Sequence, residues 1–336
     1  MSRRAVWVAL VIGLPVSALM LWLATRNADL GRVRETIADA EPWTVASALV
    51  VMAAVFFLQA VRWRGIVGLG RPSRLRCYEL VIAGLACNNV LPGRLGDFMR
   101  ARWIAVEANL PSGRGLATVV LDRTFDVVAL VVFVCVAVPT VVDATWLVRI
   151  AVGGVILLAG VAIVRVLAHR YTSTRARDRR QRSVVRMVIR DTLEGLAEPL
   201  GRRRVAKAAG LSIAAWGMWA LAAILVARSL GIDLGLLDAL FVAAIVNLGV
   251  AIPSSPGYVG TYQWLCVESL GILGIGREEA LAFSILLHAI WYVPTTLVGV
   301  SILALRIDWR GFRGNRAAAR RSAERPSPRA SAPERT

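Results

Sequence analysis

Two helix-breaking segments with the same pattern interrupt the apolar sequence of this chain. Residues 92–96 read Pro-Gly-Arg-Leu-Gly, residues 256–260 read Pro-Gly-Tyr-Val-Gly, and each lies between two apolar stretches. A pattern that recurs in an equivalent setting indicates an internal repeat. Because proline and glycine interrupt helices, the sequence predicts a fold in which two helices are broken in the same way.

The composition is that of a membrane protein. Hydrophobic residues make up 57% of the 336 residues and the mean hydropathy is +0.61, whereas soluble domains are roughly 45–50% apolar. The four cysteines are far apart in sequence, and we expect them to be buried as small apolar residues. With only two histidines and no cluster at metal-ligand spacing, the sequence predicts no metal and no cofactor.

The apolar stretches predict an all-α integral membrane protein with six full transmembrane helices. Each is about as long as the roughly 20 residues that cross a bilayer. The predicted spans cover residues 5–24, 43–61, 115–140, 146–168, 205–227 and 279–305. A cleaved signal peptide is the alternative for the first span, but its apolar run is longer than the usual 7–15 residues or so. We therefore interpret it as a retained helix.

Two further apolar regions are too short and too interrupted for full spans, and they predict re-entrant hairpins at residues 78–109 and 239–275. The segment from Tyr78 to Leu91 is only about 21 Å long as a helix. Two thin full spans are the alternative to each hairpin. The helix breakers of the two hairpins are Pro92, Gly93, Gly96, Pro253, Pro256, Gly257 and Gly260.

The order of spans and hairpins predicts an inverted repeat, with residues 1–140 as the first unit and residues 146–305 as the second. Each unit holds three full crossings, and an odd number places the second unit upside down relative to the first. Five arginines and no acid lie between residues 62 and 76, which predicts a cytoplasmic flank there.

Two other basic segments are also predicted to be cytoplasmic. Residues 169–204 form a loop that contains either an interfacial helix or a solvated linker, and residues 306–336 form a disordered tail. Both chain termini then lie in the cytoplasm of a bacterial cell, at its inner membrane. We assign the net charge of +18 to attraction by anionic inner-leaflet lipids. No nucleic-acid-binding motif is present, so nucleic acid is not an expected partner.

Charged residues inside the predicted membrane region point to a polar site. Asp122, Arg123 and Asp126 lie within one span, and each charge facing lipid would cost about 2.5–3.5 kcal/mol. Asp122 and Asp126 are four residues apart and therefore share one helix face. The first hairpin brings Arg94, Asp97 and Arg100 to a similar depth. We expect these groups to pair and to line an aqueous cavity.

Such a cavity suits the head of an anionic or phosphate-bearing lipid, since arginine binds phosphate with a planar fork and broken helices expose backbone amides. Further predicted members of the headgroup site are Asn88, Asn89, Ser254, Ser255, Tyr262 and Gln263. The alternative is that the charges form a closed salt-bridge network that only holds the hairpin in place.

The motifs of this site resemble those of one family. Residues 88–97 with Arg100, residues 121–123 with Asp126, and residues 253–257 with Gly260 resemble the transmembrane domain of lysylphosphatidylglycerol synthases and its stand-alone bacterial and archaeal relatives. In the synthases this domain is a lipid flippase joined to a soluble aminoacyl-transferase domain. The resemblance thus implies lipid translocation. Many relatives carry glutamate where this chain has Gln263, so the resemblance assigns no charge there.

Three functions are compatible with these observations. The favoured one is a flippase-like transporter that moves a phospholipid, an aminoacyl-phospholipid or a polyprenyl-phosphate-linked lipid between leaflets. The second is a non-transporting membrane partner of a lipid-modifying enzyme or glycosyltransferase. The third is an intramembrane lipid-modifying enzyme, for which Asp97 and His288 are the candidate acid/base pair. Since residues 306–336 are too few for a transferase domain, we expect no enzymatic activity.

Overall fold

The computed structural model describes residues 3–68, 70–92, 94–141, 184–250 and 254–307. All regular secondary structure in these ranges is helical, which confirms the all-α class. The predicted span at residues 146–168, the breakers Gly93 and Pro253, residues 169–183 of the basic loop and residues 308–336 of the tail lie outside the described residues.

The helices follow one another with short connections. They are α1 (Arg3–Thr25), α2 (Leu30–Ala38), α3 (Pro42–Val67), α4 (Arg74–Val90), α5 (Leu95–Glu107), α6 (Ser112–Val141), α7 (Val184–Ala197), α8 (Arg202–Ser229), α9 (Leu236–Gly249), α10 (Thr261–Ile272) and α11 (Arg277–Leu305), with a short 3-10 turn at Pro256–Tyr258. Helix α2 lies in the connection after the first predicted span, where the sequence predicted none.

Three helices in the described ranges, α3, α8 and α11, are long and apolar enough to cross a membrane. Their outward faces are apolar as well: Val50 is 70% exposed and Leu297 is 65% exposed. Exposed apolar surface of this kind marks a lipid-facing protein. The chain is therefore an all-α membrane protein, while the full count of six spans and two re-entrant hairpins stays a prediction.

Helix α3 extends beyond the predicted span at residues 43–61 and reaches Val67. It continues because Trp63 and Ile66 remain apolar and are buried, with Trp63 fully enclosed. Arg62 directly precedes Trp63, and only 1% of its surface is exposed. Arg62, which the sequence grouped with the basic flank after the span, is therefore a buried residue of α3, and the cytoplasmic side of this flank stays a prediction.

Helices α4 and α5 form an antiparallel pair around the first break. A Cβ atom on Gly96 would lie 1.9 Å from the carbonyl oxygen of Gly84, so the two backbones touch where both residues are glycine. At the other end of the pair, Nη2 of Arg76 near the start of α4 lies 2.6 Å from Oε1 of Glu107 at the end of α5. The helices are only about 26 and 20 Å long, shorter than a hydrocarbon core of about 30 Å.

The second break lies between α9 and α10, which are likewise about 21 and 18 Å long. Helix α9 follows directly on the end of α8. Glu268 in α10 pairs with Arg277 at the start of α11, with an Nη2–Oε1 distance of 3.4 Å. Arg277 also donates a hydrogen bond of 3.2 Å to the carbonyl oxygen of Leu23, near the end of α1.

The chain enters and leaves the two helix pairs at opposite ends of the bundle. Helices α3 and α8 are antiparallel, since the amide of Glu41 at the start of α3 donates to the carbonyl oxygen of Ser229 at the end of α8 at 3.0 Å. The end of α3, at Gly68, lies against Arg204 at the start of α8. The chain enters α4 and leaves α5 at this second end, which we call the basic end. It enters α9 and leaves α10 at the other end of the bundle, which we call the opposite end.

Helix α7 packs on the start of α6 at the basic end. Oγ1 of Thr192 donates a hydrogen bond of 3.1 Å to the carbonyl oxygen of Gly113, and Leu196 is buried. Burial raises the pKa of Asp191, and the nearby charge of Glu194 raises it further. Ionisation of this carboxyl therefore weakens the contact between α7 and α6. This described part of the basic loop is thus a helix that packs on protein, while its position at the membrane interface stays a prediction.

The opposite openings of the two helix pairs are testable by sided labelling. We expect Arg74→Cys, at the start of α4, and Asp233→Cys, before α9, to react with a membrane-impermeant maleimide from opposite sides of sealed vesicles. Both residues are exposed, and both variants carry Cys135→Ser to remove the exposed native thiol. Labelling of both positions from the same side would contradict the arrangement.

Candidate functional site

A buried arginine from α3 joins the two predicted aspartates of α6. Nε of Arg62 lies 2.8 Å from Oδ1 of Asp122, and its Nη1 lies 2.5 Å from Oδ1 of Asp126. Nη1 also donates to Oγ of Ser212 in α8 at 2.7 Å. These contacts connect α3, α6 and α8 at one point in the interior.

Helix α5 joins this cluster through Arg100. Its Nη2 donates to Oδ2 of Asp122 at 3.2 Å, and its guanidinium carbon lies 4.3 Å from the ring centroid of Trp63, within cation–π range. Arg100 is 3% exposed. The first hairpin is therefore fixed to the bundle by an arginine that has little contact with solvent.

Arg123 occupies the outer edge of the same cluster. Its Nη2 donates to Oδ1 of Asp97 at 2.8 Å, and its Nη1 lies 3.5 Å from Oδ2 of Asp126. Asp126 also accepts a hydrogen bond of 2.9 Å from Nε1 of Trp216. The side chain of Arg123 is 37% exposed, so this edge of the cluster is accessible.

The cluster, which we call the ion network, is balanced in charge. Its members are Arg62, Arg100, Arg123, Asp97, Asp122 and Asp126. Opposite charges in equal number keep a buried group of ions from carrying an uncompensated charge, which would be strongly destabilising. The predicted pairing of the first hairpin with the Asp122 and Asp126 face is present, and it has the form of the predicted salt-bridge network.

Arg94 is not a member of the ion network and lies at the tip of the first hairpin. Its backbone is left-handed, with φ of 53° and ψ of 38°, and its side chain reaches the second break. Nη2 donates to the carbonyl oxygen of Val250 at 2.6 Å, and the guanidinium carbon lies 5.5 Å from the ring centroid of Tyr258. Among the residues that the structure describes, no carboxylate lies within ion-pair distance of Arg94.

A cavity of about 580 Å³ lies beside Arg94 and the ion network. Its lining comprises Val55, Phe56, Gln59, Leu85, Asn88, Arg94, Arg123, Asp126, Val127, Leu130, Val131, Val134, Cys135, Trp216, Trp219, Asn247, Leu248, Val250, Tyr258, Tyr262 and Trp291. The walls are mainly apolar, and the charged groups are confined to one part of them. Cys135 is exposed here, so the expectation that all four cysteines are buried is wrong for this one.

The two asparagines before the first break satisfy polar groups of the hairpin and of α11. Oδ1 of Asn88 accepts a hydrogen bond of 2.8 Å from the amide of Gly96. Nδ2 of Asn89 donates to the hydroxyl oxygens of Thr295 and Thr296 at 3.2 and 2.8 Å. Asn88 also lines the cavity, whereas Asn89 does not. Of the two predicted site residues, only Asn88 is in a position to contact a ligand.

The serines of the second break contact α1 and do not line the cavity. The amide of Ser255 donates to Oγ of Ser17 at 2.7 Å, and a Cβ atom on Gly13 would lie 2.6 Å from the carbonyl oxygen of Ser254. Similarly, a Cβ atom on Gly260 would lie 2.1 Å from the carbonyl oxygen of Ser17. Helix α1 thus supports the second break through residues small enough for backbone contact.

Gln263 links the start of α10 to α11. Its Oε1 accepts from the amide of Gly260 at 2.7 Å, and its Nε2 lies 2.8 Å from Nδ1 of His288. An amide can do both because it carries one acceptor and one donor group, whereas an ionised glutamate would have no donor for the histidine. The adjacent Tyr262 lines the cavity, with its ring centroid 4.5 Å from that of His288.

The structure adds three residues that the sequence reasoning did not identify. Arg62 was hidden in a basic run, although the apolar residues Trp63 and Ile66 beyond it could have indicated that the helix continues. Trp216 and Ser17 lie in apolar helices, and nothing in the sequence distinguishes them from other residues of those helices.

Loss of Arg62 tests the ion network. We expect Arg62→Ala to lower the stability by about 3–5 kcal/mol, because two buried carboxylates lose their shared partner. Thermal unfolding in detergent measures this. The control is Arg74→Ala at an exposed position, which we expect to change stability by less than about 0.5 kcal/mol. Equal effects of the two substitutions would contradict the assignment.

A second prediction concerns the contact between α1 and the second break. Gly260 has φ of +89° and no room for a Cβ atom beside Ser17, whereas a Cβ atom on Gly271 in the same region meets nothing within 4 Å. We expect Gly260→Ala to lower the melting temperature and Gly271→Ala to leave it unchanged or raise it slightly, since alanine favours helix. Tolerance of Gly260→Ala would show that α1 does not pack as described.

Known proteins are similar in sequence to this chain over most of its length. The sequence profile described as lysylphosphatidylglycerol synthase TM region matches residues 6–299. The protein named glycosyltransferase AglD of Haloferax volcanii is 28% identical, over 90% of this chain and 55% of its own length. This chain thus spans only about half of that relative.

Two relatives of similar length carry the name UPF0104 membrane protein. The one from Methanothermobacter thermautotrophicus is 22% identical over 89% of this chain and 92% of its own. The one from Pyrococcus horikoshii is 24% identical over 89% of this chain and 97% of its own. The resemblance inferred from the motifs is confirmed, and because the matching profile covers most of the sequence, the chain belongs to the lysylphosphatidylglycerol synthase TM region family.

Proposed function

We propose that this protein binds the phosphate-bearing head of a lipid in its cavity and moves that lipid between the two leaflets of the membrane. The observation that carries the proposal is Arg94, an exposed guanidinium without a carboxylate partner among the described residues, at the edge of an apolar-walled cavity. An anionic head supplies a negative charge to pair with Arg94, and the apolar walls accept hydrocarbon.

The contact of Arg94 with Val250 fits this role because a ligand can replace it. A hydrogen bond between an arginine and a phosphate is charged on both sides and is roughly twice as strong as a bond to a neutral partner. The guanidinium also forms paired bonds with phosphate oxygens, which a single carbonyl cannot match. Binding of a phosphate therefore favours release of the Val250 carbonyl oxygen.

The ion network supports the same site without binding the ligand in its centre. Asp122 and Arg100 are buried and do not line the cavity, while Asp126 and Arg123 do. Arg123 is already paired with Asp97 and Asp126, so its charge is largely compensated. The role of the network in this proposal is to hold α5 and the base of the cavity in place.

The membrane arrangement proposed for transport is the inverted one. Helices α4 and α5 enter from the basic end and α9 and α10 from the opposite end, and their breaks meet at Arg94 near the middle of the bilayer. Since positive residues favour the cytoplasmic side, the basic end faces the cytoplasm of a bacterial inner membrane. Rocking of one hairpin against the other then exposes the site to either leaflet in turn.

A non-transporting partner of a lipid or sugar-lipid enzyme is the second candidate function. The observation in its favour is the similarity to about half of a protein named as a glycosyltransferase. A chain of this kind could hold a lipid for a separate catalytic domain with the same cavity. This candidate predicts lipid binding without movement between leaflets.

Transport by purified protein in liposomes separates the candidates. We expect the protein to move a labelled phosphatidylglycerol between leaflets without changing its mass, and we expect Arg94→Gln to reduce the rate at least tenfold, the effect of about 1.4 kcal/mol. Arg74→Gln, an exposed arginine before the same hairpin, serves as the matched control with unchanged rate.

The other outcomes each exclude one interpretation. A lipid of altered mass would show an enzyme, and Arg94-dependent lipid binding without transport would favour the non-transporting partner. Full transport by a protein that carries both Arg94→Gln and Asp126→Asn would exclude the proposed site.

A further inference from the structure

The cavity wall formed by α6 is a continuous stripe with a clear polarity. Its members are Arg123, Asp126, Val127, Leu130, Val131, Val134 and Cys135. They recur at intervals of three and four residues and so lie on one face of the helix. The charged members come first and the apolar members follow, toward the opposite end of the bundle. From Asp126 to Cys135 the stripe rises by about 13 Å.

The stripe continues onto the outer surface of the protein at Cys135. This residue lines the cavity and is itself exposed. Its neighbours on the outer face of α6 are apolar and exposed too, with Val132 at 43% and Val136 at 51%. The cavity wall and the lipid-facing surface therefore share one residue.

Helix α3 forms another wall of the cavity. Val55, Phe56 and Gln59 line the cavity from α3, and the adjacent Phe57 is 42% exposed. On α3 and α6 the cavity is thus bordered mainly by apolar side chains, and both helices have lipid-facing surfaces. Hydrocarbon is the occupant that matches such a border, because water gains no hydrogen bonds there.

We infer that the hydrocarbon chain of the bound lipid lies along this stripe and leaves the cavity between α3 and α6, past Cys135, while its phosphate is held at Arg94. This inference rests on the proposed function and adds the orientation of the ligand. The head lies near the middle of the bundle, and the chain points toward the opposite end.

That orientation matches the alignment of the lipids in one leaflet only. A lipid of the leaflet at the basic end has its head toward the basic end and its chains toward the opposite end. A lipid of the other leaflet has the reverse orientation. The bound lipid has the first of these orientations.

Fluorescence quenching at Cys135 tests this orientation. A fluorophore is attached to native Cys135 in the full chain, with Cys135→Ser as the blank, since the other three cysteines are buried. The protein is reconstituted with phosphatidylglycerol that carries a nitroxide either near the glycerol or at the chain end. The difference in quenching between the protein with Arg94 and its Arg94→Gln variant separates the contribution of bound lipid from that of the bulk bilayer.

We expect chain-end nitroxide to quench more strongly in the protein with Arg94 than in the Arg94→Gln variant. We expect no such difference with a diacylglycerol of the same chains, because it carries no phosphate. If the fluorophore at Cys135 itself blocks the passage, Val132→Cys in the Cys135→Ser background gives a second exposed position three residues earlier on α6.

Other results overturn either the orientation or the function. Stronger Arg94-dependent quenching by the nitroxide near the glycerol than by the one at the chain end would show the reverse orientation. Arg94-dependent transport without Arg94-dependent quenching at either position would exclude the passage and leave the proposed function intact. Chain-end quenching that depends on Arg94, in a protein that moves no lipid, would support the orientation and exclude transport.

Discussion

Compensation of buried charge is the constraint on which the rest of this structure depends. Removing a guanidinium or a carboxylate from water costs several kcal/mol unless an opposite charge lies close by. Arg62 meets this requirement with Asp122 and Asp126 from α6, at 2.8 and 2.5 Å. Because Arg100 also binds Asp122, the position of α5 follows from the same pairing, and so does the position of the hairpin tip.

Two of the contacts between the first hairpin and the bundle differ in strength, and this difference suits a carrier. The ion network joins charges on both sides and is largely buried, whereas Arg94 contacts a carbonyl oxygen and an aromatic ring across the two breaks. The base of the hairpin is therefore held firmly while its tip is held by interactions that an anion can replace. Helix α1 supports the second break separately, through backbone contacts at Gly13 and Ser17.

The sequence predicted much of the site because its strongest signals are local. The four-residue spacing of Asp122 and Asp126 placed both on one helix face, and the cost of charge in lipid turned that face inward. The same reasoning brought Arg94 and Asp97 to the same depth. The Pro-Gly-x-x-Gly repeat predicted both breaks, and the composition predicted the all-α membrane class. The spacing and the helix breakers needed only a few neighbouring residues each, and the composition is an average over the whole chain.

What the sequence did not predict depends on contacts between distant segments. Arg62 resembled a cytoplasmic flank because arginines commonly follow a span, and only the carboxylates of α6 explain its burial. Ser254 and Ser255 were placed in the cavity because they are polar residues beside a break. Their contact with α1 depends on how closely Ser17 approaches. Cys135 is exposed although thiols are commonly buried, since its helix borders the cavity.

The most direct test is an experimental structure determined with phosphatidylglycerol bound. The account predicts the phosphate within hydrogen-bonding distance of the Arg94 guanidinium, the Val250 carbonyl oxygen released, and the ion network around Arg62 unchanged. A phosphate bound elsewhere, with the bond between Arg94 and Val250 intact, would contradict it.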